Sequence, residues 1–261
     1  MGKTLQEQTI KDNFLFAAIM LDSDICKEVL ERILEVEIDH VEVVSEKSIV
    51  FHPEYHGIRL DVYAKENDGT YFNVEMQVER KPVLKRARYY HSNMDVELLR
   101  TGIDYELLPD SYVIFICDYD PIGLGKYKYT KYSTFREDMS YNYKDGIHTY
   151  FLSTKGKNVD EVPGKLVKFL DYVGTGKMDE TDDLLDHLKR TEVKIKSDRE
   201  IGERFMVFEE MMQDQFKAGK AEGVAEATAK IITAYLNNGG TKEEAVKIFE
   251  MTVDEIEQVL K

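Results

Sequence analysis

The sequence predicts an α/β fold: a mixed sheet flanked by helices, followed by an all-helical C-terminal extension. Three observations point there. Between residues 41 and 152, segments rich in β-branched and aromatic residues are interrupted by a helical segment. One of them, Tyr112-Val113-Ile114-Phe115-Ile116-Cys117, is apolar without a break, as a central strand buried on both faces requires. Beyond about residue 156 the pattern turns almost wholly helical.

Taken in order, Phe14, Ile19, Ile25, Val29, Leu30, Ile33 and Leu34 recur at helical spacing, with Asp22-Ser23-Asp24 as a break between two helices. Strands are expected at Val41–Val44, Ile58–Tyr63, Tyr71–Val78, Tyr112–Cys117 and His148–Leu152. Pro82 to Arg100 holds no glycine, opens with a proline suited to a first helical turn and carries Val83, Ala87, Tyr90, Met94 and Leu98 on one face. Further on, Ile201, Phe205, Phe208, Met212 and Phe216 mark one long amphipathic helix. Asn237-Asn238-Gly239-Gly240 terminates it. Thr241 with Glu244 and Thr252 with Glu255 then form two capping boxes. The implied division is a core at 1–156, a helical extension at 157–236 and a C-terminal helical hairpin at 237–261.

Composition narrows the function. Cys26 and Cys117 both lie in apolar runs, which argues for buried thiols in a reducing compartment and against a disulfide framework or a cysteine zinc site. No apolar run is long enough to cross a bilayer, so cytoplasmic residence is the expectation. The net charge of −15 opposes phosphate binding by the molecule as a whole. Any contact with DNA therefore needs local basic patches. Arg80, Lys81, Lys85, Arg86 and Arg88 form one, and Lys126, Lys128, Lys131 and Arg136, interleaved with Tyr127, Tyr129 and Tyr132, form another.

Two expected strands flank Asn67-Asp68-Gly69, which reads as a β-hairpin. With a three-residue loop, Asp61 faces Glu75 and Arg59 faces Gln77, which places four polar residues together while Leu60, Val62, Val74 and Met76 turn to the core. With a two-residue loop the alternation reverses and the group is lost. In the first case the two carboxylates lie close enough to share one ion, since opposed Cβ atoms are roughly 4.5–5.5 Å apart. Such hard oxygen ligands suit Mg²⁺ or Mn²⁺.

The motifs Lys11-Asp12-Asn13-Phe14, Gly57-Ile58-Arg59-Leu60-Asp61-Val62, Val74-Glu75-Met76-Gln77, Lys85-Arg86-Ala87-Arg88-Tyr89-Tyr90 and Gly102-Ile103-Asp104-Tyr105 occur together. On them, the stretch from Ile10 to Leu152 resembles the recombination-promoting nuclease (Rpn) family, a branch of the PD-(D/E)XK nuclease superfamily. The resemblance implies a restriction-endonuclease-like core and a metal-dependent DNA endonuclease linked to mobile elements or recombination. Asp61, Glu75 and Gln77 would be its catalytic residues, with Asp61 and Glu75 holding Mg²⁺ or Mn²⁺. Arg59, Lys85, Arg86 and Arg88 would contact DNA. The superfamily usually has Lys where this chain has Gln77, whereas the resembled branch commonly carries Gln. Asp12 or Glu7 could add a further acidic group, the alternative for Asp12 being a helix N-cap. The long C-terminal helix makes a homodimer an expectation. The competing reading is a catalytically weak or inactive nuclease-fold protein that serves as a DNA- or protein-interaction module.

Overall fold

The computed structural model describes residues 3–49 and 58–259. Helices α1 (Asn13–Met20) and α2 (Ser23–Leu34) open the fold. They part at Asp22, whose carboxylate accepts from the backbone N–H groups of Asp24 and Ile25 and so starts α2. Strands β1 (Val41–Ile49), β2 (Ile58–Glu66) and β3 (Tyr71–Gln77) follow, then α3 (Val83–Leu98) and β4 (Ser111–Cys117). The remaining strands are β5 (Lys128–Lys131), β6 (Ser133–Phe135), β7 (Asp138–Tyr143) and β8 (Ile147–Ser153). Then come α4 (Gly164–Thr175), α5 (Asp183–Ser197), α6 (Arg199–Asn237), α7 (Lys242–Phe249) and α8 (Val253–Val259).

Six strands form a mixed sheet in the order β1-β2-β3-β4-β8-β5. Strands β3, β4 and β8 run parallel, and the outer pairings are antiparallel. The fully buried run Val113–Cys117 lies on central β4, as its uninterrupted apolar pattern requires. Strands β5, β6 and β7 were not expected from the sequence. Strand β5 is a four-residue edge, and β6 pairs only with β7, so neither place imposes an apolar alternation.

The sheet separates two cores. On one face Val62, Val74, Met76, Ile114 and Leu152 pack with α1, α2, α4 and α5, around fully buried Phe16, Phe72 and Phe169. Each such side chain contributes about 2–3 kcal/mol by leaving water. On the other face Leu60, Val113, Phe115 and Phe151 meet Val83, Ala87, Tyr90 and Met94 of α3. Helices α4 and α5 therefore belong to the sheet's own core. The described residues divide into two compact units, 3–201 and 202–259.

A buried ion pair fastens α5. Arg32 of α2 donates to both carboxylate oxygens of Asp182, at 2.9 and 2.7 Å, with the two side chains only 5% and 3% exposed. Asp182 also caps α5 by accepting from Leu185 N–H. In the second unit, α6 ends at Asn237 before Gly239 at φ 93°, and the Thr241–Glu244 capping box starts α7 as expected. Ile232, Ala245 and Ile256 form its small core. The Glu255 side chain lies outside the described residues. Along α6, Phe205 is buried, but Met212 and Phe216 are 42% and 73% exposed, so the expected stripe is covered only at its start.

Asp182→Ala removes the α5 cap and leaves the buried Arg32 guanidinium with only the half-exposed carboxylate of Glu28, 2.8 Å from Nη2. The expected cost is about 3–5 kcal/mol in urea unfolding near neutral pH. A loss below about 1 kcal/mol would mean that Glu28 or water compensates the Arg32 charge in the folded state.

Candidate active site

The register of the β2–β3 hairpin is the one that a three-residue loop demands. Val62 pairs with Val74, Tyr63 with Asn73, Ala64 with Phe72 and Lys65 with Tyr71. Glu66 N–H donates to Thr70 O, which closes the loop over Asn67, Asp68 and Gly69. Gly69 has φ 98°, a conformation that glycine adopts without strain. The same alternation places Glu75 beside Phe115 and Gln77 beside Cys117, on the face covered by α3.

Beyond Val62 and Val74 the two strands no longer form the regular ladder, and side chains take over its bonds. Asp61 N–H donates to Glu75 Oε1 at 3.2 Å, and Met76 N–H donates to Asp61 Oδ2 at 3.2 Å. Strand β2 turns over at this point. Val62 and Ala64 join the first core, while Ile58 and Leu60 join the second. The expected common face for Leu60, Val62, Val74 and Met76 is thereby corrected, because a strand rotated at Asp61 no longer alternates across it. Asp61, half-buried in the gap, also receives the Asn13 amide of α1 at 3.5 Å.

Glu75 is buried, 3% exposed, and its neighbours reflect that. Arg86 of α3 donates through Nη2 to Glu75 Oε2 at 3.2 Å and to the Tyr90 hydroxyl at 2.8 Å, and the Tyr90 hydroxyl lies 3.4 Å from Glu75 Oε2. Arg86 Nη1 donates to Gln77 Oε1. Gln77 Nε2 donates to Glu79 O at 2.6 Å. Loss of water around Glu75, and then the nearby negative charge of Asp61, push its carboxyl well above the ordinary range. Arg86 and the Asp61 N–H offset only part of this. The folded state thus holds a proton that the unfolded chain gives up, and stability from this group falls as pH rises above the ordinary carboxylate range.

The other expected site residues are dispersed. The Arg59 side chain lies outside the described residues, and the β2–β3 pairing ends before an Arg59–Gln77 pair. Lys85 and Arg88 are exposed on α3, whereas Arg86 turns inward onto Glu75 and Gln77. Glu7 is exposed and closes a capping box with Thr4. Asp12 occupies the N-cap position of α1, but its carboxylate bonds backwards to Thr9 N–H and to Lys3 and makes no cap bond. In the second basic cluster Lys126 is paired with Glu161 and Lys128 with Glu35, while Tyr127 is buried.

Other residues arrive at this end of the sheet that the sequence reading gave no role in the site. Asn13 is one. Asp118 follows β4, its N–H donating to Gln77 O at 3.0 Å, and its carboxylate accepts from Lys11, Thr154 and Lys155. The available signal was its place after a parallel strand, where α/β sheets bind ligands.

Asp61 and Glu75 present hard carboxylate oxygens from adjacent strands around a deficit of positive charge, which fits a divalent cation of the Mg²⁺ type. Among the described residues no group of three or more His, Cys, Asp or Glu side chains is placed to hold a metal.

A mixed sheet covered by helices on both faces, with an acidic pair where a hairpin opens, places the core in the nuclease-like α/β class. Residues 14–173, more than half of the chain, match the PD-(D/E)XK nuclease family transposase model, and the chain belongs to that family. Comparison with curated proteins and with solved structures finds no match. Membership makes the core a nuclease-type domain, of a class that generally uses divalent metals and acts on DNA. No described helix is long and apolar enough to cross a membrane.

His91 sets the seat of α3. Its Nδ1 lies 2.8 Å from the Ser111 hydroxyl on β4 and its Nε2 3.0 Å from the Thr149 hydroxyl on β8. Burial is the main cause that lowers its pKa to about 4, with Lys131 and His148 adding to it. Between that value and the ordinary one near 6.5, the unfolded chain binds a proton that the folded chain refuses. Stability from this group is therefore full above the ordinary value and is lost as pH falls. The stability of the parent relative to His91→Gln should drop by about 2 kcal/mol from about pH 7.5 to about pH 5, measured by urea unfolding. A constant difference would mean that the imidazole titrates normally.

Proposed function

We propose that this protein is a Mg²⁺- or Mn²⁺-dependent DNA endonuclease, tied to mobile elements or recombination as the resemblance to the Rpn branch implies. The observation that carries this reading is the convergence of Asp61 and Glu75 where β2 and β3 part. A bound divalent ion would supply an acidified water and offset charge developing on the phosphate. Asp61 and Glu75 are its proposed ligands, each fixed by a backbone N–H of the facing strand. Gln77 can neither accept a catalytic proton nor act as a cation, and its carbonyl oxygen is already spent on Arg86. Its part is to fix that guanidinium. Arg59, Lys85 and Arg88 are the proposed contacts to the DNA backbone, a role that Lys85 and Arg88 support by being exposed on α3. A homodimer through the C-terminal helices belongs to the same reading, supported by the exposed Met212 and Phe216. Cytoplasmic residence is supported by the free buried thiols of Cys26 and Cys117.

The net charge of −15 and the internal pairing of Lys126 and Lys128 favour a second reading, a nuclease fold that has become a non-catalytic interaction module. The metal separates the two. Plasmid DNA incubated with Mg²⁺ or Mn²⁺ should be cut by the parent, and Asp61→Ala should lower the rate by at least about 100-fold with its unfolding midpoint kept. Equal cleavage by the two proteins would remove Asp61 from the site. Absence of both cleavage and a saturable Mn²⁺ site in the parent would leave the interaction module as the reading.

A further inference from the structure

The site has a cation of its own, supplied from α3 and not from β3. The Arg86 guanidinium carbon lies 5.2 Å from the centroid of the Phe115 ring and 5.4 Å from that of Tyr90, so two aromatic rings flank it. Its hydrogen bonds go to Gln77 Oε1, Glu75 Oε2 and the Tyr90 hydroxyl. A guanidinium has five N–H groups, and this side chain remains 29% exposed, so it reaches solvent while anchored. Among the described residues, Lys11 and Lys155 at this end of the sheet are both committed to Asp118.

Charge decides what such a group does. Asp61 and Glu75 carry two negative charges when ionised, and a divalent cation cancels them. The pair with its ion would carry no net charge, so the negative charge of a bound phosphodiester would have no matching charge within the site. Arg86 adds the one positive charge that matches the single negative charge of that phosphate. Its fork of donors also suits phosphate oxygens better than a lysine would.

We propose that Arg86 is a catalytic residue of this site: when a divalent ion takes the Glu75 carboxylate, the Nη2 group released by Glu75 holds a non-bridging oxygen of the scissile phosphate. No covalent bond is made or broken in this exchange. Gln77 and Tyr90 keep the guanidinium in place through it, which gives Gln77 a reason to be an amide: its oxygen receives the arginine without competing for the metal's charge. The inference rests on the nuclease reading above.

The test compares the full-length parent with Arg86→Gln and Arg86→Lys in three measurements: Mn²⁺ binding, plasmid cleavage, and affinity for a short labelled duplex with Ca²⁺ in place of Mg²⁺. Arg86→Gln should bind Mn²⁺ as tightly as the parent or more tightly, because a competing cation is gone. Its cleavage rate and its Ca²⁺-dependent gain in duplex affinity should each fall by at least about tenfold. Arg86→Lys, which keeps a charge beside buried Glu75 and so covers failure of the Gln variant to fold, should retain the Mn²⁺ site and recover part of the loss. Duplex affinity and cleavage unchanged in Arg86→Gln would overturn the inference. So would loss of the Mn²⁺ site together with cleavage in both folded variants, since Arg86 would then only support Glu75. A parent that binds no Mn²⁺ at a site sensitive to Glu75→Gln would instead overturn the nuclease reading itself, and this inference with it.

Discussion

Burying a carboxylate costs several kcal/mol unless other groups replace the water it loses, and Glu75 imposes that demand on everything around it. Its replacements come from two directions. The Asp61 N–H arrives from β2, which must leave its ladder with β3 to offer it. Arg86 and Tyr90 arrive one helical turn apart on α3, which must lie at a fixed depth over the sheet. His91, next to Tyr90, holds that depth through hydroxyls on two further strands. A change in the seat of α3 would reach Glu75 through the arginine, and a change in the hairpin would reach it through Asp61.

The parallel strands give this arrangement a common edge. Asp118 and Thr154, just past the ends of β4 and β8, donate backbone N–H groups to Gln77 O and Cys117 O, so the chain ends of β3, β4 and β8 are tied in series. Lys11, just before α1, closes the series by bonding both Asp118 and the carbonyl of Gly174 at the end of α4. The acidic pair thus sits beside strand ends that backbone hydrogen bonds join to one another.

Much of this was legible in the sequence, for definite physical reasons. The central strand announced itself because burial on both faces leaves no room for polar residues, and α3 did so through its stripe Val83, Ala87, Tyr90 and Met94. The hairpin was legible from its Asn-Asp-Gly turn, but its register stood open between a two- and a three-residue loop, which only the backbone pairing decides. The rotation of β2 at Asp61 was not, since a period of two assumes a strand that keeps its faces. Arg86 was read with Lys85 and Arg88 as one basic patch. The clue to its inward turn was its spacing, three residues after Val83 and four before Tyr90, on the border of the apolar stripe. The membership of α4 and α5 in the core was hidden because Arg32 and Asp182, which tie α5 to α2, stand 150 residues apart.

The Asn67–Gly69 loop has a consequence for comparing this chain with others. Because Asp61 and Glu75 meet only when the number of residues between them is odd, as the thirteen here are, a relative could keep every residue of the site and yet lose it through one inserted or deleted residue in the turn. Another could differ at each loop position and keep it, so long as a glycine or another residue tolerant of positive φ ends the turn. What links a sequence of this kind to its chemistry is therefore a parity as much as a set of residue identities.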